Sequence, residues 1–125
     1  MRKEALRYLQ NARDLLKQVQ IEDDTYLDRK PVREALGTTY LTVLEAINAG
    51  LVKRGVPERD LPQSVDGYRR ALQKHLAIHN GKLLREFNKL YDTLHIAGYY
   101  RGLLYDTNIV KEAIKAARAF IEKVG

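Results

Sequence analysis

Apolar residues recur at three- and four-residue intervals from Leu6 to Val124, and nowhere does the sequence sustain a period of two. That spacing is the signature of helices buried along one face, so no strand is assigned. Only three prolines and eight glycines interrupt the pattern. Leu6, Leu9, Ala12, Leu16 and Val19 predict a first helix from Lys3 to about Gln20. Glu22, Asp23 and Asp24 break the pattern and read as a solvated loop. Asp28 is placed to cap a second helix, with Pro31 in its first turn, where a missing N–H costs nothing. The stripe Val32, Leu36, Tyr40, Val43, Ile47 and Leu51 carries that helix from Arg29 to Lys53, and Gly55 with Pro57 stops it.

Ser64 then caps a third helix bearing Val65, Tyr68, Leu72, Leu76 and His79, closed by the breaker pair Asn80-Gly81. A fourth helix runs from Lys82 to Tyr99 through Leu83, Leu84, Phe87, Leu90, Tyr91, Leu94 and Ala97, with Gly98 and Gly102 marking its frayed end. Thr107 or Asn108 caps a fifth, carried by Val110, Ala113, Ile114, Ala117, Phe120, Ile121 and Val124. The expected fold class is all-α, an antiparallel bundle of about five helices, with residues 1–125 forming a single domain.

A chain of this length buries roughly two-thirds of its unfolded surface, so it needs no metal or cross-link to fold. It has no cysteine, which excludes disulfides, thiolate catalysis and cysteine-held clusters. The opening Met1–Arg7 is basic but never reaches the apolar core of a signal peptide. No window approaches the run of about 20 apolar residues that spans a bilayer. A cytoplasmic location and no membrane partner are therefore expected. Net charge is +6 and uneven. Residues 1–62 hold 11 basic and 10 acidic side chains, whereas 63–125 hold 11 basic and 6 acidic. Such an excess favours an anionic partner without forming the dense basic tract of a dedicated nucleic-acid binder.

Few residues invite chemistry. His75 and His79 stand four apart, the spacing of metal-binding pairs, but need a third ligand such as Glu86 or His95. Leu76 follows His75 where a metalloprotease motif has glutamate, and no metal or cofactor is assigned. Arg70 and His75 could serve one phosphodiester, the guanidinium on the phosphate and the imidazole exchanging a proton with the 2′-hydroxyl. On a straight helix they lie about 140° apart, so they converge only across a dimer or a bend. The stripes Lys82, Arg85, Lys89 and Lys111, Lys115, Arg118 read as wet helix faces. Tyr91, Tyr99, Tyr100 and Tyr105 gather around His95 and Arg101, a density that suits an interface or a ligand pocket.

Several sparse features together resemble the HEPN-like helical bundles, the higher-eukaryote and prokaryote nucleotide-binding domains. They are Tyr8-Leu9 and Ala12, the run Thr38–Ala46 with Tyr40, and His79-Asn80-Gly81 followed by Phe87. Ala97, Arg101 and Tyr105, then Glu112-Ala113, Ala117 and Phe120, resemble the family's closing region. The resemblance implies a cytoplasmic homodimer and a non-enzymatic binding module linked to nucleotides or to a nucleotidyltransferase partner. His79, His95, Tyr99, Tyr100, Arg101 and Tyr105 are then the candidate ligand or interface residues. The alternative it implies is a metal-independent, toxin-type ribonuclease using Arg70 and His75, although Ala71 stands where active members carry a polar residue.

Nucleic acid is not the favoured partner. Glu86, Glu112 and Glu122 interrupt both basic stripes, and no tryptophan supplies a stacking platform. RNA binding should therefore be weak and vanish near physiological ionic strength, where the screening length is about 8 Å. Titrating labelled RNA at two salt concentrations checks this. Submicromolar affinity at physiological salt that disappears when Lys82, Arg85 and Lys89 become alanine would show the opposite.

Overall fold

Asp28 Oδ1 accepts the Lys30 amide at 3.1 Å and starts the helix on which the others rest. In the computed structural model, whose described residues are 2–76 and 81–124, this helix is α2 (Arg29–Lys53). It follows α1 (Arg2–Lys17) and a two-stranded hairpin, β1 (Ile21–Glu22) and β2 (Thr25–Tyr26). A short 3-10 turn (Glu58–Asp60) leads to α3 (Val65–His75). Then come α4 (Lys82–Leu90), a π-helical segment (Tyr91–Tyr100) and α5 (Thr107–Val124). The fold is an all-α bundle with α2 at its centre, in contact with α1, α3, the π-helical segment and α5.

The apolar stripes supply one continuous core. Leu9, Leu36, Val43, Ile47, Leu72, Phe87, Leu94, Phe120 and Ile121 are almost wholly withdrawn from water. Thr39 and Thr42 are buried with them, and their hydroxyls donate to the Ala35 and Thr38 carbonyls at 2.8 and 2.9 Å. α2 has the length and apolar content to span a bilayer, but more than half of its most apolar stretch is packed inside the bundle.

Four local features differ from the sequence reading. The acidic 22–26 stretch is a hairpin, not an open loop. Asp23 and Asp24 form its two-residue turn with φ of 52° and 59°, the left-handed pair of a type I′ turn. Aspartate tolerates that region better than most residues because its short side chain bonds locally. The hairpin is also tied to the segment before α5, through Tyr26 N–H to the Tyr105 carbonyl at 2.8 Å and Thr107 N–H to the Asp24 carbonyl at 2.9 Å. Second, α5 is capped by Asp106 and not by Thr107 or Asn108. Asp106 Oδ1 accepts the Asn108 and Ile109 amides at 2.9 and 3.1 Å.

Third, α3 ends at His75, with Leu76 as its last capped position, so its predicted continuation to His79 lies outside the described residues. Fourth, the expected fourth helix changes type at Tyr91, and Gly98 is buried inside the π-helical segment rather than fraying at its end. A Cβ at Gly98 would sit 2.7 Å from Leu36 Cδ1 and 3.0 Å from the Thr93 carbonyl, so glycine is what permits this close packing on α2.

Leu36→Ala and Phe120→Ala should each lower stability by about 2–5 kcal/mol, because both side chains are fully enclosed and cannot be replaced by water. Urea denaturation measures the loss. Midpoints equal to that of the parent would mean the two sites collapse around the smaller residue.

Candidate functional site

The π-helical segment determines what the aromatic residues can do. Residues four apart share a helix face, so Leu90 at the end of α4 forms one buried column with Leu94 and Gly98, and Tyr91, His95 and Tyr99 form the next. The His95 ring stacks on Tyr91 at 5.4 Å and on Tyr99 at 6.0 Å, with interplanar angles of 27° and 17°. Tyr40 of α2 lies 4.9 Å from His95 and 5.8 Å from Tyr91, closing the column against the core. Gly37 makes room for the outermost ring, since a Cβ there would meet Tyr99 Cδ1 at 2.6 Å.

The result is a groove of about 360 Å³ lined by Glu34, Gly37, Thr38, Tyr40, Leu41, His95 and Tyr99. A second hollow of about 490 Å³ lies along α2 beside it, lined by Tyr8, Thr38, Leu41, Leu44, Glu45, Asn48 and Tyr68. Leu41 and Thr38 border both. Leu41 is 59% exposed and stands as an apolar ridge between the two hollows, with Tyr99, 46% exposed, at one edge. Leu41 is the exposed large apolar side chain of α2, whose Leu44 and Val52 are half-buried and whose central stripe is enclosed.

The polar residues around the column are already engaged. Arg69 donates to Asn88 Oδ1 and Asp66 Oδ1, both at 2.7 Å, and lies 5.3 Å from the Tyr91 ring centre. Tyr68 donates to Asn48 Oδ1 at 3.0 Å. Burial pushes the Tyr68 hydroxyl above its ordinary pKa. Tyr40 is pushed up to about 12, first by burial and then by the Tyr91 and Tyr68 hydroxyls, with the Arg69 charge acting against them. Tyr40 is thus a neutral packing group across the physiological range.

The structure brings together only part of the expected residue set. His95 and Tyr99 share the groove with Tyr40, while Tyr91 stacks on His95 without lining it. Tyr100, 67% exposed, contributes its backbone: Arg33 of α2 donates to the Tyr99 and Tyr100 carbonyls at 2.8 and 2.6 Å, closing the end of the π-helical segment. Arg101 is exposed at the capping position, and its amide donates to the Ile96 carbonyl. Tyr105 lies under the Arg29 guanidinium, 4.2 Å from its ring centre, away from the groove. His79 lies outside the described residues. Arg70 is exposed and His75 half-buried on the regular α3, which keeps their angular separation near 140°. Among the described residues no three His, Cys, Asp or Glu side chains form a metal-holding group.

The sequence reading missed Arg33, Gly37 and the place of Leu41. The signal for the ring column was present in the double four-residue spacing of 90, 94, 98 and 91, 95, 99, which sets each series along one helix face.

This arrangement of helices, with its hairpin and its π-helical segment, can be set beside known proteins. The profile of a family described as a domain of unknown function, DUF5618, matches residues 1–125. The chain belongs to the DUF5618 family. A solved structure of a protein of unknown function from Dyadobacter fermentans is 32% identical and superposes with a TM-score of 0.78, covering 98% of this chain and 91% of the other. No curated protein matches the chain.

For this DUF5618 chain the raised Tyr40 pKa gives a sign-defined pH dependence. The folded state favours the protonated phenol, so its contribution is complete below pH 10 and is lost as pH rises from 10 through about 12. Near the top of that window the loss should reach about 2 kcal/mol. Urea midpoints of the parent should therefore fall more steeply over this range than those of Tyr40→Phe, and parallel curves would mean Tyr40 ionises freely in the fold.

Proposed function

We propose that the protein is a non-enzymatic interaction module that forms a homodimer through the α2 face. The observation that carries this reading is the Leu41 ridge between two apolar hollows. A two-fold axis through such a surface sets the ridge of each copy into a hollow of the other, the self-complementarity an isologous interface requires. The rims suit it as well, because the half-buried Tyr8 and the exposed Tyr99 offer rigid aromatic area with polar tips. The separation of Arg70 from His75 on a regular helix supports binding over catalysis.

The resemblance to HEPN-like bundles supports the same reading and adds a finer one, a cytoplasmic module whose face also meets a nucleotide or a nucleotidyltransferase. Tyr99, stacked beside His95 and 46% exposed, offers a nucleobase an aromatic surface open to water. A base bound there would compete with the second copy.

Leu41→Asp places a charge at the centre of the face without touching the core. It should convert the dimer to a monomer of 14.4 kDa at high micromolar concentration, leaving the helical circular dichroism unchanged. Light scattering on both proteins decides it. A parent that is itself monomeric under these conditions rules out the homodimer. Adding AMP to the parent then tests the finer reading, with a shift toward monomer as the expected result.

A further inference from the structure

A third hollow lies on the other flank of α1, and its chemistry is unlike that of the α2 face. It occupies about 510 Å³ between α1 and α5 and is lined by Arg13, Leu16, Lys17, Ile21, Tyr26, Lys111, Ile114 and Lys115. Leu16, Ile21, Tyr26 and Ile114 make an apolar floor, with Ile21 brought in by the hairpin. Around it stand four cations in two pairs, Arg13 with Lys17 on α1 and Lys111 with Lys115 on α5. Each pair is spaced one helical turn apart, where like charges repel.

Little on the protein offsets that repulsion. Lys17 has Asp14 at 3.6 Å. Among the described residues no ion pair or side-chain hydrogen bond engages Arg13, Lys111 or Lys115, and no carboxylate lines the hollow. Glu112 lines the groove between α4 and α5 instead. The other cations of α5 are engaged away from the hollow: Arg118 meets Glu122 at 3.5 Å and Lys123 meets Glu86 at 2.8 Å. Arg13 is half-buried, and among the described residues its guanidinium makes no ion pair with an acid of its own chain.

We propose that this hollow binds the phosphate monoester of an apolar group, with the hydrocarbon body on the Leu16–Ile21–Tyr26–Ile114 floor and the phosphate among Arg13, Lys111 and Lys115. The volume lies within the range of small-molecule sites, where an apolar lining with a few convergent charged groups fixes orientation. A dianionic phosphate fits three unneutralised cations better than a single carboxylate charge does, and an arginine fork among lysines is a common phosphate-binding combination. The site is independent of the α2 face and does not rest on dimerisation.

The probe is 1-naphthyl phosphate, whose fluorescence is read cleanly because the protein has no tryptophan. It should bind the full chain saturably at one per chain. Both 1-naphthol, which lacks the charge, and inorganic phosphate, which lacks the ring, should bind at least about tenfold more weakly. The exposed Lys111→Gln/Lys115→Gln double variant should lose about tenfold or more in affinity while keeping its urea midpoint, whereas Lys74→Gln on α3 should change nothing. The same headgroup chemistry occurs free and on phosphatidic acid, so a second arm sediments the protein with phosphatidylcholine vesicles with and without that lipid. Naphthyl phosphate binding without vesicle association assigns a soluble ester. Association that depends on phosphatidic acid and on the two lysines assigns the lipid. Naphthol binding as tightly as its phosphate, affinity unchanged in the double lysine variant, or no binding in either arm overturns the proposal.

Discussion

The close approach of the π-helical segment to α2 governs much of the molecule. Gly98 lets the segment settle on Leu36, and Gly37 lets the Tyr99 ring lie against α2, two contacts that any larger side chain would push apart. Within that spacing Leu94 is fully enclosed and the ring column of Tyr91, His95 and Tyr99 leans on Tyr40. π-helical hydrogen bonding is an uncommon form that persists where packing favours it. Here the packing is supplied on the inner side by the Leu90, Leu94 and Gly98 column. At the C-terminal end it is supplied by Arg33, whose two donors meet carbonyls that no following turn would satisfy. Gly102, at φ 61°, lets the chain leave the helix beside that guanidinium.

The same geometry explains what could and could not be read from the sequence. The stripes of α1, α2 and α5 gave the core directly, because an α-helix buried on one face must repeat its apolar residues every three or four positions, and Asp28 and Ser64 cap the helices they were expected to cap. Asp106 escaped because it belongs to a polar triplet in which any of three side chains can cap, and the choice was made by the hairpin. Thr107 N–H is taken by the Asp24 carbonyl, which fixes the chain one residue earlier. The hairpin escaped because two residues per strand are too few to show a period, and because Asp-Asp is a rarer occupant of a type I′ turn than Asn-Gly.

The aromatic cluster was legible as a group of residues but not as a site. Tyr100, Arg101 and Tyr105 are near His95 in sequence, yet the segment's end sends them outward, where one serves through its carbonyl and another stacks under Arg29. The two positions that complete the groove, Gly37 and Leu41, lie more than fifty residues upstream of His95. No local pattern joins them; only the packing of α2 against the π-helical segment does. The basic stripes show the converse case. Lys111, Lys115 and Arg118 look equivalent on a helical wheel, but Arg118 has Glu122 and the two lysines face α1, so one stripe splits into a paired cation and half of a charged hollow.

α1 shows how the two surfaces remain separate. Its buried stripe of Ala5, Leu9, Ala12 and Leu16 runs down the middle of one face. Tyr8 flanks that stripe on one side and reaches the hollow beside Leu41. Arg13 and Lys17 lie about 140° and 180° around from Tyr8 and reach the hollow against α5. A fully packed stripe of small and branched residues stands between them, with no shared side chain. Changes on the two flanks should therefore act additively, as they do for sites without common partners. Coupling between them would require α1 to shift as a body on α2, and Ala5 and Ala12, completely enclosed, leave that helix little room to move.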